Sequence, residues 1–207
     1  MIIFDLDGTL WDTTKSLYEA ANDITNKYSD INQISIETVK KGMGLSSEEN
    51  ARNFMPYLDD EKALYYLKKI GKRSIEIINE KGAILYDGVI DTIHKLSKKH
   101  KLGIVTNNTD EYVKTFLKVS KLEKYFSDYI GAASYNITKK DAIKNITSRN
   151  NEPNSIYVGD IKKDMIAAEE AKVTFIHAKY GFEPTLESKY YIDNIKKLEE
   201  LLNKIFD

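Results

Sequence analysis

The sequence predicts an α/β protein whose mainly parallel sheet is interrupted, after its first strand, by a helical insertion. Short apolar runs alternate with stretches whose apolar residues recur every three or four positions, as in strands joined by crossover helices. The first run, Met1-Ile2-Ile3-Phe4, leads directly into an acidic turn. About seventy residues of helical pattern then precede the next run, whereas a crossover needs roughly a dozen.

Taken in order, strands are expected at 2–6, 102–106, 129–133, 155–158 and 174–177. The insertion carries apolar stripes at Leu17, Ala20, Ala21 and Ile24, at Ala63, Leu64, Leu67 and Ile70, and at Ile75 and Ile78. Turn chemistry marks both of its ends: Asp12-Thr13-Thr14 on the way out, Lys81-Gly82 and Asp87-Gly88 on the way back. Helices between the later strands show stripes at Ile90, Ile93 and Leu96, at Val113, Phe116 and Leu117, and at Ala142, Ile143 and Ile146. Thr138 with Asp141 three residues on reads as a capping pair for the last of these. The expected organisation is a core of residues 1–12 and 83–207 split by a helical cap subdomain of residues 13–82.

Composition narrows the function classes. A hydrophobic content of 42% and a charged content of 30% are those of a globular protein with a real core. A formal net charge of -1 supplies no field toward nucleic acid or an anionic membrane, so neither is expected as a partner. Without cysteine there is no disulfide, thiolate nucleophile or cysteine–zinc site, which is compatible with the cytoplasmic location expected here. No run reaches the roughly 20 apolar residues of a membrane helix. From the strand-like start no leader is expected.

The chemistry is written at strand ends. Asp5-Leu6-Asp7-Gly8-Thr9-Leu10 follows the first strand directly, and ligands of open α/β sheets gather beyond the carboxyl ends of their strands. Two acids two residues apart can divide the labour, one attacking as a carboxylate and the other donating a proton. The blander alternative is a turn with two solvated acids. A second cluster follows another strand, where Ile156-Tyr157-Val158 runs into Gly159-Asp160, with Asp164 four residues further on. Asp160 alone could simply cap a helix. Two acidic strand ends brought together, however, form an oxygen-rich site that needs a hard cation such as Mg²⁺. Thr106 ends the second strand and Asn107 and Asn108 follow it, offering a hydroxyl and backbone N–H groups suited to phosphate oxygens. Lys139 opens the helix after the third strand and can neutralise a transferring phosphoryl group, with Lys140 its rival.

These segments resemble the haloacid dehalogenase superfamily, in its phosphatase branch. The Asp5–Leu10 hexapeptide with its trailing Asp12 is similar to the first motif. Val105-Thr106-Asn107-Asn108 is similar to the second, and Val158-Gly159-Asp160 with Asp164, Ala167, Ala168 and Ala171 to the fourth. The order agrees across nearly the whole chain, and the insertion stands where the family's helical type-1 cap stands. The third motif departs: phosphoglycolate phosphatase-like members often show Lys-Pro, where this chain has Thr138-Lys139-Lys140-Asp141. The fourth ends Ala171-Lys172-Val173 where many relatives place glycine after alanine.

The resemblance implies a Rossmann-like core. It implies Asp5 as the nucleophile that carries the phosphoryl group, and Asp7 as acid and then base. Mg²⁺ would be held by Asp5, Asp160 and the Asp7 carbonyl with Asp164 in support, and phosphate oxygens by Thr106, Asn107 and Lys139. It also implies a small phosphorylated metabolite as substrate. From the cap, Arg52 is the candidate contact to a second anionic group; Trp11 reads as a packing residue and the three histidines as structural. A phosphomutase of the β-phosphoglucomutase kind is the main alternative, weakened because no histidine precedes Gly82 in the insertion. A haloacid dehalogenase needs neither Asp7 nor Asp160. A receiver-type signalling domain would be much shorter, and a silent binding protein would be expected to lose carboxylates that are all present here.

Overall fold

The fold follows from where the apolar runs can be buried. A computed structural model describes residues 1–206. Its strands are β1 (Ile2–Phe4), β2 (Trp11–Asp12), β3 (Ile84–Leu85), β4 (Leu102–Thr106), β5 (Asp128–Gly131), β6 (Ile156–Gly159), β7 (Thr174–Ala178) and β8 (Tyr191–Ile192). Its helices are α1 (Thr14–Lys27), α2 (Ile36–Gly42), α3 (Ser47–Phe54), α4 (Asp60–Lys81), α5 (Val89–Leu96), α6 (Asp110–Ser120), α7 (Lys139–Arg149), α8 (Lys162–Glu170) and α9 (Leu198–Phe206). Every residue of β1, β4 and β6 is buried, which is why these runs are apolar throughout rather than alternating. They form the middle of a six-stranded sheet in the order β5-β4-β1-β6-β7-β8. All its pairings are parallel, with Ile2 opposite both Leu102 and Ile156.

This order matters for function. From β4 the chain steps outward to β5, then returns past β1 to begin β6 on the other side. The carboxyl end of β1 is therefore a topological switch point, where helices depart to opposite faces and leave a crevice.

The chain divides into two units, Met1–Trp11 with Leu85–Asp207, and Asp12–Ile84. In the sheet unit, Met1, Ile3, Val105, Ile143, Ile146, Tyr157 and Phe175 belong to one core cluster. Thr138 accepts the Asp141 N–H at 3.1 Å as the cap of α7, as the sequence predicts. In the helical unit, α3 starts with a Ser46/Glu49 capping box and α4 with an Asp59 cap. Arg73 of α4 reaches Asp23 of α1 at 2.7 Å, and Tyr66 donates to Asp30 at 2.7 Å. No described helix is long and apolar enough to cross a membrane.

β1 and β5 each end two residues before the sequence expectation. β1 stops at Phe4 because the Leu6 carbonyl already accepts the N–H groups of Thr9, Leu10 and Trp11, closing a tight turn. β5 ends at Gly131, after which Ala132–Ser134 winds into a 3₁₀ turn. That turn is tied down by Ala133 donating to the Asn108 carbonyl at 3.2 Å and by Ser134 accepting the Asp110 N–H at 2.8 Å. The short β8, unforeseen in the sequence, pairs with β7 through His177↔Tyr191 and Ala178↔Ile192.

Candidate active site

Asp5 is the first residue beyond β1, and its N–H donates to the Val158 carbonyl at 2.9 Å, so strand pairing fixes its backbone. Its side chain is buried, with Oδ1 3.2 Å from the Lys139 ammonium and without a well-aligned hydrogen bond. Burial pushes the Asp5 carboxyl up to about 7. Lys139 pulls the other way, and Asp164 and Asp7 add to the rise.

Asp160 and Asp164 face it from the end of β6 and the first turn of α8. Oxygens of Asp5, Asp160 and Asp164 lie within 4.8 Å of one another. Asp160 accepts from the Thr9 hydroxyl at 3.2 Å and from the Phe182 N–H at 2.8 Å. Burial raises its carboxyl well above the usual carboxylate range, with Asp164 and Asp5 contributing. One oxygen of Asp164 takes the Lys139 ammonium at 2.6 Å. The other takes the N–H groups of Asp160 and Ile161 at 3.1 and 3.3 Å. The geometry therefore gives Asp164 a local role already, closing the β6–α8 turn and holding the lysine.

Lys139 is 6% exposed, at the first position of α7, with its ammonium between Asp164 and Asp5. Burial alone would lower its pKa, but the two carboxylates outweigh burial and hold it above the ordinary lysine value. The rival Lys140 points elsewhere, its side chain 35% exposed and 3.9 Å from Glu170. The 100° step between successive helical residues accounts for the difference.

Asp7 is buried in the turn after β1. Tyr112 of α6 donates to its Oδ1 at 2.7 Å, and the Asn108 amide donates to its Oδ2 at 3.1 Å. Gly8 adopts φ 84°, and a β-carbon there would lie 2.1 Å from an Asp160 oxygen, so only glycine lets the two acidic segments meet. Thr106 ends β4 buried, accepting the Asn108 N–H at 3.3 Å; Asn107 follows it, half-buried. Arg52 belongs to the helical unit, where its exposed guanidinium forks onto Asp60 at 3.0 and 3.1 Å.

Two features escape the sequence reading. Tyr112 looks like one more apolar residue of α6. The Tyr180-Gly181-Phe182 turn beyond β7 bonds to both acidic segments, Tyr180 donating to the Thr9 carbonyl at 2.9 Å. A glycine between aromatics just past a strand end, on the edge that carries the acids, is the signal that points to it.

The site thus holds four buried carboxylates and one ammonium, a formal charge of -3 when all are ionised. All the acidic donors are hard oxygens, and Asp5 Oδ1 lacks a hydrogen bond, so the set suits a divalent cation with oxygen preference.

The family profile described as haloacid dehalogenase-like hydrolase matches residues 2–178. A phosphoglycolate phosphatase of Pseudomonas fluorescens is 27% identical, covering 96% of this chain and 78% of its own. The pyrophosphatase PpaX of Listeria monocytogenes is 28% identical, over 83% of this chain and 79% of its own. Among solved structures, a predicted phosphoglycolate phosphatase from Haemophilus somnus superposes with a TM-score of 0.84 at 20% identity, covering 98% of this chain and 97% of that one. A haloacid dehalogenase-like hydrolase from Streptococcus pneumoniae gives a TM-score of 0.81 at 21% identity, covering 97% of each chain.

Proposed function

Since the chain belongs to the haloacid dehalogenase-like hydrolase family and is a phosphatase within it, we propose that it hydrolyses a small phosphomonoester with Mg²⁺, through an aspartyl-phosphate on Asp5. The observation that carries this reading is the convergence of Asp5, Asp160 and Asp164, buried at a sheet switch point beside Lys139 and Asp7.

Asp5, Asp160 and the Asp7 carbonyl would hold the cation, which when bound neutralises charge on the phosphoryl oxygens. Asp164 acts at one remove, orienting Lys139 and the Asp160 backbone. In the first half-reaction an Asp5 carboxylate oxygen attacks phosphorus and the phosphorus–oxygen bond of the ester breaks. The departing alkoxide takes a proton from Asp7. In the second, ionised Asp7 removes a proton from water, whose oxygen attacks the same phosphorus. Inorganic phosphate leaves and the Asp5 carboxylate is restored. Thr106, Asn107 and Lys139 are assigned to the phosphoryl oxygens, giving positioned donors for the charge that builds in transfer.

The helical unit is proposed as the cap that selects the leaving alcohol, a reading supported by its insertion point in the chain. Arg52 is a conditional member, because a substrate anion would have to displace Asp60 from its guanidinium.

The test is Asp5→Asn, which keeps the shape but removes the anionic nucleophile. Turnover of a panel of phosphate esters should fall by several orders of magnitude. In the wild type, a phosphate-mimicking metal fluoride should bind at Asp5, and a chelator should abolish activity until Mg²⁺ is returned. Undiminished hydrolysis by the Asn variant, or by chelated wild type, would refute the assignment.

A further inference from the structure

The Asp7 side chain is not left to rotate. An aspartate carboxylate turns about its last torsion with little resistance, and a proton donor misplaced by about 1 Å can cost roughly 10²-fold in rate. Here the Tyr112 hydroxyl donates to Oδ1 at 2.7 Å inside the buried site, a short bond of charge-assisted length. Asn108, on an exposed loop, holds Oδ2 by a longer bond of 3.1 Å and is the partner a substrate oxygen can replace.

Tyr112 is itself braced. Its N–H bonds to the Thr109 cap hydroxyl at 3.3 Å in the first turn of α6. Its ring meets Trp11 edge-on, with centroids 5.2 Å apart, and Trp11 meets Phe116 at 5.0 Å. Trp11 belongs to the same turn as Asp7: its carbonyl accepts the Gly8 N–H at 2.9 Å, and Asp7 and Trp11 form a bridge. Asp7, Trp11 and Tyr112 therefore close a ring of contacts around the acid. A phenylalanine would fill the same space against Trp11, so packing alone does not account for the hydroxyl.

We propose that Tyr112 is a positioning residue that pins Oδ1 of Asp7, so that the other carboxylate oxygen is presented to the leaving group and then to water. This rests on the assignment of Asp7 as acid and base above. It is a positioning role, since Tyr112 acts through Asp7.

The experiment compares wild type, Tyr112→Phe, Tyr112→Leu and Asp7→Asn on two substrates, a simple alkyl phosphate and p-nitrophenyl phosphate, by kcat/KM. That ratio reports phosphoryl transfer to Asp5. An alkoxide needs a proton as it departs, whereas nitrophenolate is stable without one. Tyr112→Phe should lose about 10- to 100-fold toward the alkyl ester and less than about threefold toward the nitrophenyl ester, with an unshifted melting temperature. Tyr112→Leu should show the same selectivity on top of a lowered melting temperature. Equal losses on both esters, or none, in Tyr112→Phe would overturn the inference. Inactive wild type, or Asp7→Asn as active as wild type on the alkyl ester, would instead refute the underlying phosphatase reading.

Discussion

Replacing Lys139 with methionine keeps the buried stem and deletes only the ammonium. The consequence can be worked from the structure. Nζ lies 2.6 Å from Asp164 and 3.2 Å from Asp5, and all three side chains are at most 6% exposed. Removing one partner of a buried ion pair costs about 3–5 kcal/mol, because the other charge is stranded. Protons soften the loss. Burial already raises the Asp5 carboxyl to about 7, and deleting Lys139 raises it further, so the folded state binds protons that the unfolded chain has released. Stability then falls as pH rises from the ordinary carboxylate range through the folded value. The penalty should thus be greatest near pH 8 and smaller near pH 5. For a protein of this size each 1 kcal/mol moves the melting temperature by about 2–4 °C, so a fall of about 6–20 °C is expected at pH 8 without divalent cation. Lys140→Met removes only a 3.9 Å pair between partly exposed groups and should shift melting by no more than about 2 °C. Circular dichroism melts of both variants in chelator, at two pH values, make the comparison. A Lys139→Met melt within about 2 °C of wild type at pH 8, or a larger drop for Lys140→Met, would refute the reasoning.

Two further outcomes follow from the same geometry. A β-carbon on Gly181 would lie 2.3 Å from the Asp160 β-carbon and 2.4 Å from the Gly8 carbonyl. Gly181→Ala should therefore push the Phe182 N–H off Asp160, costing about 1–3 kcal/mol of stability and at least about tenfold in Mg²⁺ affinity. Calorimetric titration measures the affinity, and an unchanged value would count against the turn's role. Because protons on Asp5 and Asp160, both raised by burial, must leave before these carboxylates can bind a cation, Mg²⁺ affinity should weaken by at least about tenfold per unit of pH below about 7. Titrations between pH 5.5 and 8.5 check this, and a flat profile would contradict it.

What was legible in the sequence was whatever side chains announce locally. β1, β4 and β6 are buried on both faces, so their runs are apolar without interruption and stand out. β8 does not. It is two residues long, and the flanking contacts are backbone bonds, from His177 to the Tyr190 carbonyl and from Lys179 to the Ile192 carbonyl. Such bonds leave no side-chain pattern. Asp5, Asp7 and Asp160 stood out because acids directly after apolar runs have no packing reason to be there. The step from Lys139 to Lys140 could be argued from the Thr138 cap, but their separation into a buried and a half-exposed side chain needed the packed α7. Tyr112 was invisible for the opposite reason. It occupies a buried helical position where any aromatic would fit, and its partner Asp7 lies 105 residues earlier.

The strand order also imposes a schedule on synthesis. β1 is made first, yet it bonds to β4 and β6, with Ile2 opposite Leu102 and Ile156. At roughly 5–20 residues per second, the ribosome needs on the order of 10–30 s to reach the second of these partners. For that interval the most apolar strand of the sheet has no neighbour on one or both edges. A chain released early keeps Asp5 but lacks the β6–α8 segment that brings Asp160 and Asp164 to it. The nascent protein is accordingly unable to gather its acidic residues until β6 and α8 have been made, and what it exposes meanwhile is a sticky edge in need of cover rather than a premature catalyst.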